Sequence, residues 1–180
     1  MIHGWEDGPA SHFWPWLRSQ FQNQEIEIIQ PQMPDTNVPI IDKWVSHLSE
    51  LVGTVDENTY FVGHSIGCQT IMRYLDSQDN KSGGSVFVAG WFNLENLENE
   101  DIKEIAKPWL NDPINFDHIK NLINPLKVFL SSDEIFGCVQ ENKKIFEEKL
   151  GAEVVILNER GHFTSKEMPE ALSVLKEIIK

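Results

Sequence analysis

Three residues of this chain could together do covalent chemistry: Ser65 within Gly63-His64-Ser65-Ile66-Gly67, Asp133 within Ser131-Ser132-Asp133-Glu134, and His162 within Arg160-Gly161-His162-Phe163. A serine hydroxyl is a poor nucleophile until a base takes its proton. An imidazole serves as that base when a carboxylate fixes its tautomer and stabilises its protonated form. Glycines on both sides of the serine point to a sharp strand-to-helix turn that projects Ser65 above a sheet edge. A purely structural β-to-α turn carries the same glycines, so the weight of the reading falls on the carboxylate and the histidine. Glu134 competes with Asp133 for the orienting role, and Asp133 is preferred because it stands nearer the end of the preceding strand. An acyl-transfer site also needs two preorganised donors for the developing oxyanion, and the backbone N–H groups of Ile66 and Trp5 are placed to supply them. His64 is expected to point away from the Ser65 hydroxyl and to pack or support. Among the aromatic residues, Trp91, Trp109, Phe136 and Phe163 are the candidates to line an apolar substrate pocket at the strand ends.

The elements that must hold these residues are read from periodicity. Thr59 to Val62 is β-branched and aromatic, and Ile66, Ile71, Met72 and Leu75 beyond the serine recur as on a helix face. Ser85 to Ala89 and Glu153 to Leu157 are short apolar runs, as is Lys127 to Leu130, and each reads as a strand of a parallel sheet. Helices are expected over about 14–22, from Ile41 to Val52 with Gly53 as its stop, over Val139 to Leu150, and from Pro169 onward. Glu25 to Ile29 alternates and then turns apolar, as a strand does. Residues 91–126, acidic at first and broken by prolines, read as an insertion over the strand ends. Strands and helices alternate throughout, which predicts one α/β domain over 1–180. It is built on a doubly wound, mainly parallel sheet with helices on both faces and its chemistry at the carboxyl ends of the strands. Only Met1-Ile2 stand before the His3-Gly4 loop, so Met1 is expected to be an internal start or a cloning boundary.

Composition narrows the class. The chain has 180 residues, 41% of them hydrophobic, which is enough for one full core. Its 15 Lys and Arg against 28 Asp and Glu give a net charge of −13, which repels phosphate backbones and anionic lipid surfaces. Neither nucleic acid nor a membrane is an expected partner. Two cysteines without a CxxC or Cys/His cluster argue against a secreted disulfide framework and against zinc, and no cofactor is called for. A cytoplasmic location follows, and Cys68 is expected to be a small core residue.

The order Ser65, Asp133, His162 is that of the α/β-hydrolases. The chain resembles, over almost its whole length, the small serine hydrolases similar to retinoblastoma-binding protein 9. The likeness rests on His3-Gly4-Trp5, Met33-Pro34, Gly63-His64-Ser65-Ile66-Gly67, Met72-Arg73-Tyr74, Pro108-Trp109, Ser131-Ser132-Asp133 and Gly161-His162-Phe163. The resemblance implies a Ser65, His162, Asp133 triad and metal-independent hydrolysis of a small-molecule or peptide-like ester or amide. Glu134-Ile135-Phe136-Gly137-Cys138 replaces the family's acidic, proline-containing loop, and the Leu-x-Cys-x-Glu peptide associated with retinoblastoma binding is absent. Two readings remain open: a serine hydrolase working through an acyl-enzyme, and a non-catalytic interaction module that keeps the fold.

Overall fold

The computed structural model describes residues 1–22 and 24–179. Four strands form one sheet in the order in which they occur: β1 (Tyr60–His64), β2 (Gly84–Val88), β3 (Leu126–Ser131) and β4 (Glu153–Leu157). All three pairings are parallel, with Gly63 beside Phe87, Phe87 beside Val128, and Val128 beside Val154. Parallel neighbours require crossovers, and helices supply most of them. The helices are α1 (Trp14–Ser19), α2 (Ile41–Val52), α3 (Ile66–Asp76), α4 (Glu100–Asn111), α5 (Phe116–Ile119), α6 (Val139–Leu150) and α7 (Pro169–Ile178). Residues 91–126 carry α4 and α5. Among the described residues, no helix is long and apolar enough to cross a membrane.

Successive side chains of a strand point to opposite faces, and both faces are apolar here. Phe61, Phe87, Val128 and Leu130 bury against Trp44 and Leu48 of α2, the apolar side of α3, and Phe146 and Leu150 of α6. Val62, Val86, Val88 and Phe129 bury against Trp14 and Leu17 of α1 and Ala171 and Leu175 of α7. Helices therefore cover both faces, as the alternation of elements predicts. Cys68 is fully buried in the first of these cores, and burial pushes its thiol pKa upward, so it is a packing residue.

Two expectations are corrected. The helix expected over about 14–22 is six residues long and ends at Ser19. Glu25 to Ile29 has strand-like composition but forms no strand. A strand exists only as one member of a ladder, and among the described residues Glu25–Ile29 pairs with no strand of the sheet. Ile2 makes a single bridge to Gly63, donating to Val62 O and accepting from His64 N. The Met1 amine donates to Ile29 O at 2.9 Å, and burial pushes its pKa down to about 5. Between Glu25–Ile29 and β1 lies a cavity of about 550 Å³, lined by Ile28, Tyr60, Phe61, Val62 and Leu175 among others, where ladder contacts would otherwise run.

Backbone crowds closely at Gly67, the second residue of α3. A Cβ there would stand 2.3 Å from Ile2 O and 2.8 Å from His3 O, both backbone atoms with nowhere to go. Replacing Gly67 by Ala gains about 1 kcal/mol of helix propensity, but overpacking of this kind costs about 1–3 kcal/mol and also displaces the Ile2–His3 segment. The expected result for Gly67→Ala is a net loss of stability with a lower urea midpoint. An unchanged or raised midpoint would show that the segment is not held against α3.

Candidate active site

All the chemistry-bearing residues leave the carboxyl ends of the four strands. Ser65 follows β1, Trp91 follows β2, Asp133 and Glu134 follow β3, and His162 follows β4. Ser65 has φ 53° and ψ −123°, in the region that side chains avoid, and this turns the chain from β1 into α3 within one residue. Its N–H donates to Val88 O at 2.9 Å and its carbonyl accepts from Cys68 N at 3.0 Å, so strand and helix both hold the strained residue in place. The hydroxyl accepts a long bond from the Trp91 indole N–H, 3.4 Å away.

Across the cleft His162 Nδ1 lies 2.8 Å from Glu134 Oε1, both side chains being largely buried. With the carboxylate ionised, Nδ1 carries the hydrogen and Nε2 keeps its lone pair, the state a general base needs. The structure thus gives the contact with His162 to Glu134 and not to Asp133. Asp133 is exposed, and its Oδ1 accepts from Ser131 Oγ and, at 2.9 Å, from Gly161 N. These bonds hold its carboxyl below the usual range, and they fasten the loop that carries His162 without touching the ring. Neighbouring side chains on an extended segment diverge, so the choice between the two acids is made by the turn after β3.

The loop before Ser65 is tied down from behind by His3. Its Nδ1 is 2.8 Å from Gly4 O and its Nε2 accepts from Met33 N at 3.0 Å, which fixes a neutral ring with the hydrogen on Nδ1. Burial lowers its pKa, consistent with that state. Gly4 then passes close to Ser65: a Cβ on it would lie 3.5 Å from Ser65 Cβ and 2.8 Å from Asp7 Oδ2. Glu6 and Asp7 donate their N–H groups to Thr36 O and Gly4 O, whereas among the described residues Trp5 N–H has no acceptor. Ile66 N–H, at the first position of α3, has no acceptor within its helix. Ile66 N–H adjoins Ser65 in sequence, and Trp5 N–H adjoins Gly4, the residue that approaches Ser65.

A small cleft beside the serine is lined by Trp91, Leu94, Leu130, Glu134, Phe136 and His162, with Phe136 edge-on to the His162 ring. It encloses about 10 Å³, room for about one water. Of the four aromatic residues expected at a pocket, Trp91 and Phe136 line this cleft. Trp109 and Phe163 do not. Trp109 is 1% exposed, packs edge-on to Trp44 and donates its indole N–H to Pro39 O, while Phe163, at φ 56°, turns into the core on the α7 face. Two supporting residues carry sequence signals that are easy to pass over. Asn142 lies four residues before Phe146 on the buried side of α6, a polar residue in an apolar stripe. Its amide accepts from Phe92 N and Asn93 N and donates to Asn93 O, clamping the loop that carries Trp91. Asp7 is the acid beside the His3-Gly4 motif. Burial alone would raise its pKa, but His64 and His12 beside it outweigh that and hold it below the usual range.

A family model described as serine hydrolase matches residues 1–177. YdeN of Bacillus subtilis, a protein named as a hydrolase, is 27% identical over 185 residues, covering 99% of this chain and 92% of its own. The rat serine hydrolase RBBP9 is 24% identical over 172 residues, covering 94% of this chain and 88% of its own. The crystal structure of the B. subtilis ydeN gene product superposes with a TM-score of 0.87 at 23% identity, covering 98% of this chain and 95% of that one.

His3 and His64 are each about 1% exposed, and burial lowers the pKa of both. A histidine held neutral in the fold contributes its full stability above its unfolded value of 6.5 and loses it as pH falls from there toward the lowered folded value. The loss is up to about 1.4 kcal/mol per pH unit for each ring. The Met1 amine acts with the same sign, from 8.0 down to about 5. Urea midpoints measured between pH 8 and pH 5 should therefore fall steadily. A midpoint constant over that range would contradict the neutral, buried state of these groups.

Proposed function

The chain belongs to the serine hydrolase family and is a hydrolase, and from that premise we propose that it cleaves a small ester or amide through an acyl-enzyme formed on Ser65. Ser65 Oγ attacks the carbonyl while His162 Nε2 takes its proton. The oxyanion of the tetrahedral intermediate accepts from the N–H groups of Trp5 and Ile66. His162 passes the proton to the leaving group, then activates the water that frees the acyl group. Glu134 holds Nδ1–H throughout and stabilises the imidazolium that forms twice per turnover.

The observation that carries this reading is the 2.8 Å contact of His162 Nδ1 with Glu134 in a cleft that opens beside a strained Ser65. The largely apolar lining from Trp91, Leu94, Leu130 and Phe136 supports an uncharged acyl group. The non-catalytic alternative has no observation of its own in its favour.

Removing the charge on the orienting acid leaves the base in the wrong tautomer, an effect of up to about 10⁴ in kcat in a well-studied triad. With p-nitrophenyl acetate as substrate, Glu134→Gln should lower kcat by about 10²–10⁴. Asp133→Asn keeps an acceptor for Gly161 N–H and should lower it by less than about tenfold. The reverse ranking would return the role to Asp133. Equal, wild-type rates in both would remove the acid from the mechanism.

A further inference from the structure

We propose that His64, the residue before the nucleophile, is a positioning residue that ties the general-base loop to the elbow through the backbone of His162; this rests on the roles given to Ser65 and His162 above. His64 is 1% exposed, and its Nε2 lies 2.8 Å from the His162 carbonyl oxygen. A carbonyl only accepts, so Nε2 carries the hydrogen and donates. The other ring nitrogen has no hydrogen-bond partner. Its nearest carboxylate is Asp7 Oδ2 at 3.7 Å, beyond hydrogen-bond reach. Burial, which lowers the His64 pKa, keeps the ring in this neutral form.

The position of the ring gives the contact its consequence. On one side His64 touches the loop that carries the Trp5 donor, since a Cβ on Gly4 would stand 3.1 Å from its Nδ1. On the other it packs against the His162 ring, with centroids 4.9 Å apart, while Phe13 and His12 close its remaining faces. The His162 loop is strained at two residues: Glu159 has φ 53° and Phe163 φ 56°. Its other anchors come from the end of β3, where Arg160 N donates to Ser131 Oγ and Gly161 N to Asp133 Oδ1, and from α7, where Arg160 pairs with Glu170 and Phe163 is buried. Only the His64 bond attaches the base to the residue adjoining the nucleophile. Without it the His162 carbonyl is left without that partner and the loop relaxes. The separation of His162 Nε2 and Ser65 Oγ is then no longer set, and a misplacement of about 1 Å can cost 10²-fold in rate.

Three variants separate the donor from the bulk of the ring. Gln places an amide nitrogen about where Nε2 stands, Phe keeps the ring without a donor, and Asn keeps a donor that is too short to reach His162. With p-nitrophenyl acetate, His64→Phe and His64→Asn should lower kcat by about 10–100-fold with KM within about threefold, because the pocket lining is untouched. His64→Gln should keep kcat within about fivefold of wild type. Thermal unfolding identifies which variants are folded, and His64→Asn decides the matter if His64→Phe does not fold. Wild-type kcat in folded His64→Phe or His64→Asn would overturn the proposal while leaving the serine mechanism intact, as would equal losses in His64→Gln and His64→Phe. A wild-type protein without Ser65-dependent hydrolysis would remove premise and proposal together.

Discussion

The site depends on how closely α3 can approach the chain at Ile2 and His3. With no side chain at Gly67, the first turn of α3 lies against the Ile2 and His3 carbonyls. That contact fixes the Ile2–His3 segment from which Gly4 approaches Ser65. The strained φ of Ser65 is the local counterpart of the same constraint, and residues in such conformations persist only where their surroundings over-determine them. Here the hydrogen bonds to Val88 O and Cys68 N and the start of α3 do so.

Around this fixed centre each functional group is held by neutral histidines and short polar anchors. His3 ties the first loop to Met33, His64 ties the last loop to the elbow, and Asn142 ties the Trp91 loop to α6. Buried bonds of this kind contribute little net stability when made and cost about 1–3 kcal/mol when a partner is lost. They therefore specify geometry more than they stabilise the fold, which is what a site requiring sub-ångström placement needs.

Much of this could be read from residue types and spacing. The amphipathic repeats of α2 and α6 and the apolar run of β4 locate those elements to the residue, because side-chain burial alone determines them. Glu25 to Ile29 could not be read the same way, since a strand depends on a partner that composition does not reveal. The elbow and His162 were visible as a motif and an order. The choice of Glu134 over Asp133 was not, because it turns on the direction of two adjacent side chains, set by Ser131 and Gly161 from different parts of the chain. Trp109 and Phe163 show the same limit. An aromatic residue near a strand end fits a core as well as a pocket, and only the packing of Trp44 and α7 distinguishes them.

The central claim is that Ser65 is an activated nucleophile. A fluorophosphonate reacts with such a hydroxyl by losing fluoride and leaving a phosphonyl ester, so intact-mass and peptide-mapping measurements on the labelled protein test it most directly. The account predicts one adduct per chain, on Ser65, that is lost in His162→Ala. A folded protein that takes up no adduct, or takes it up at another residue, would contradict it.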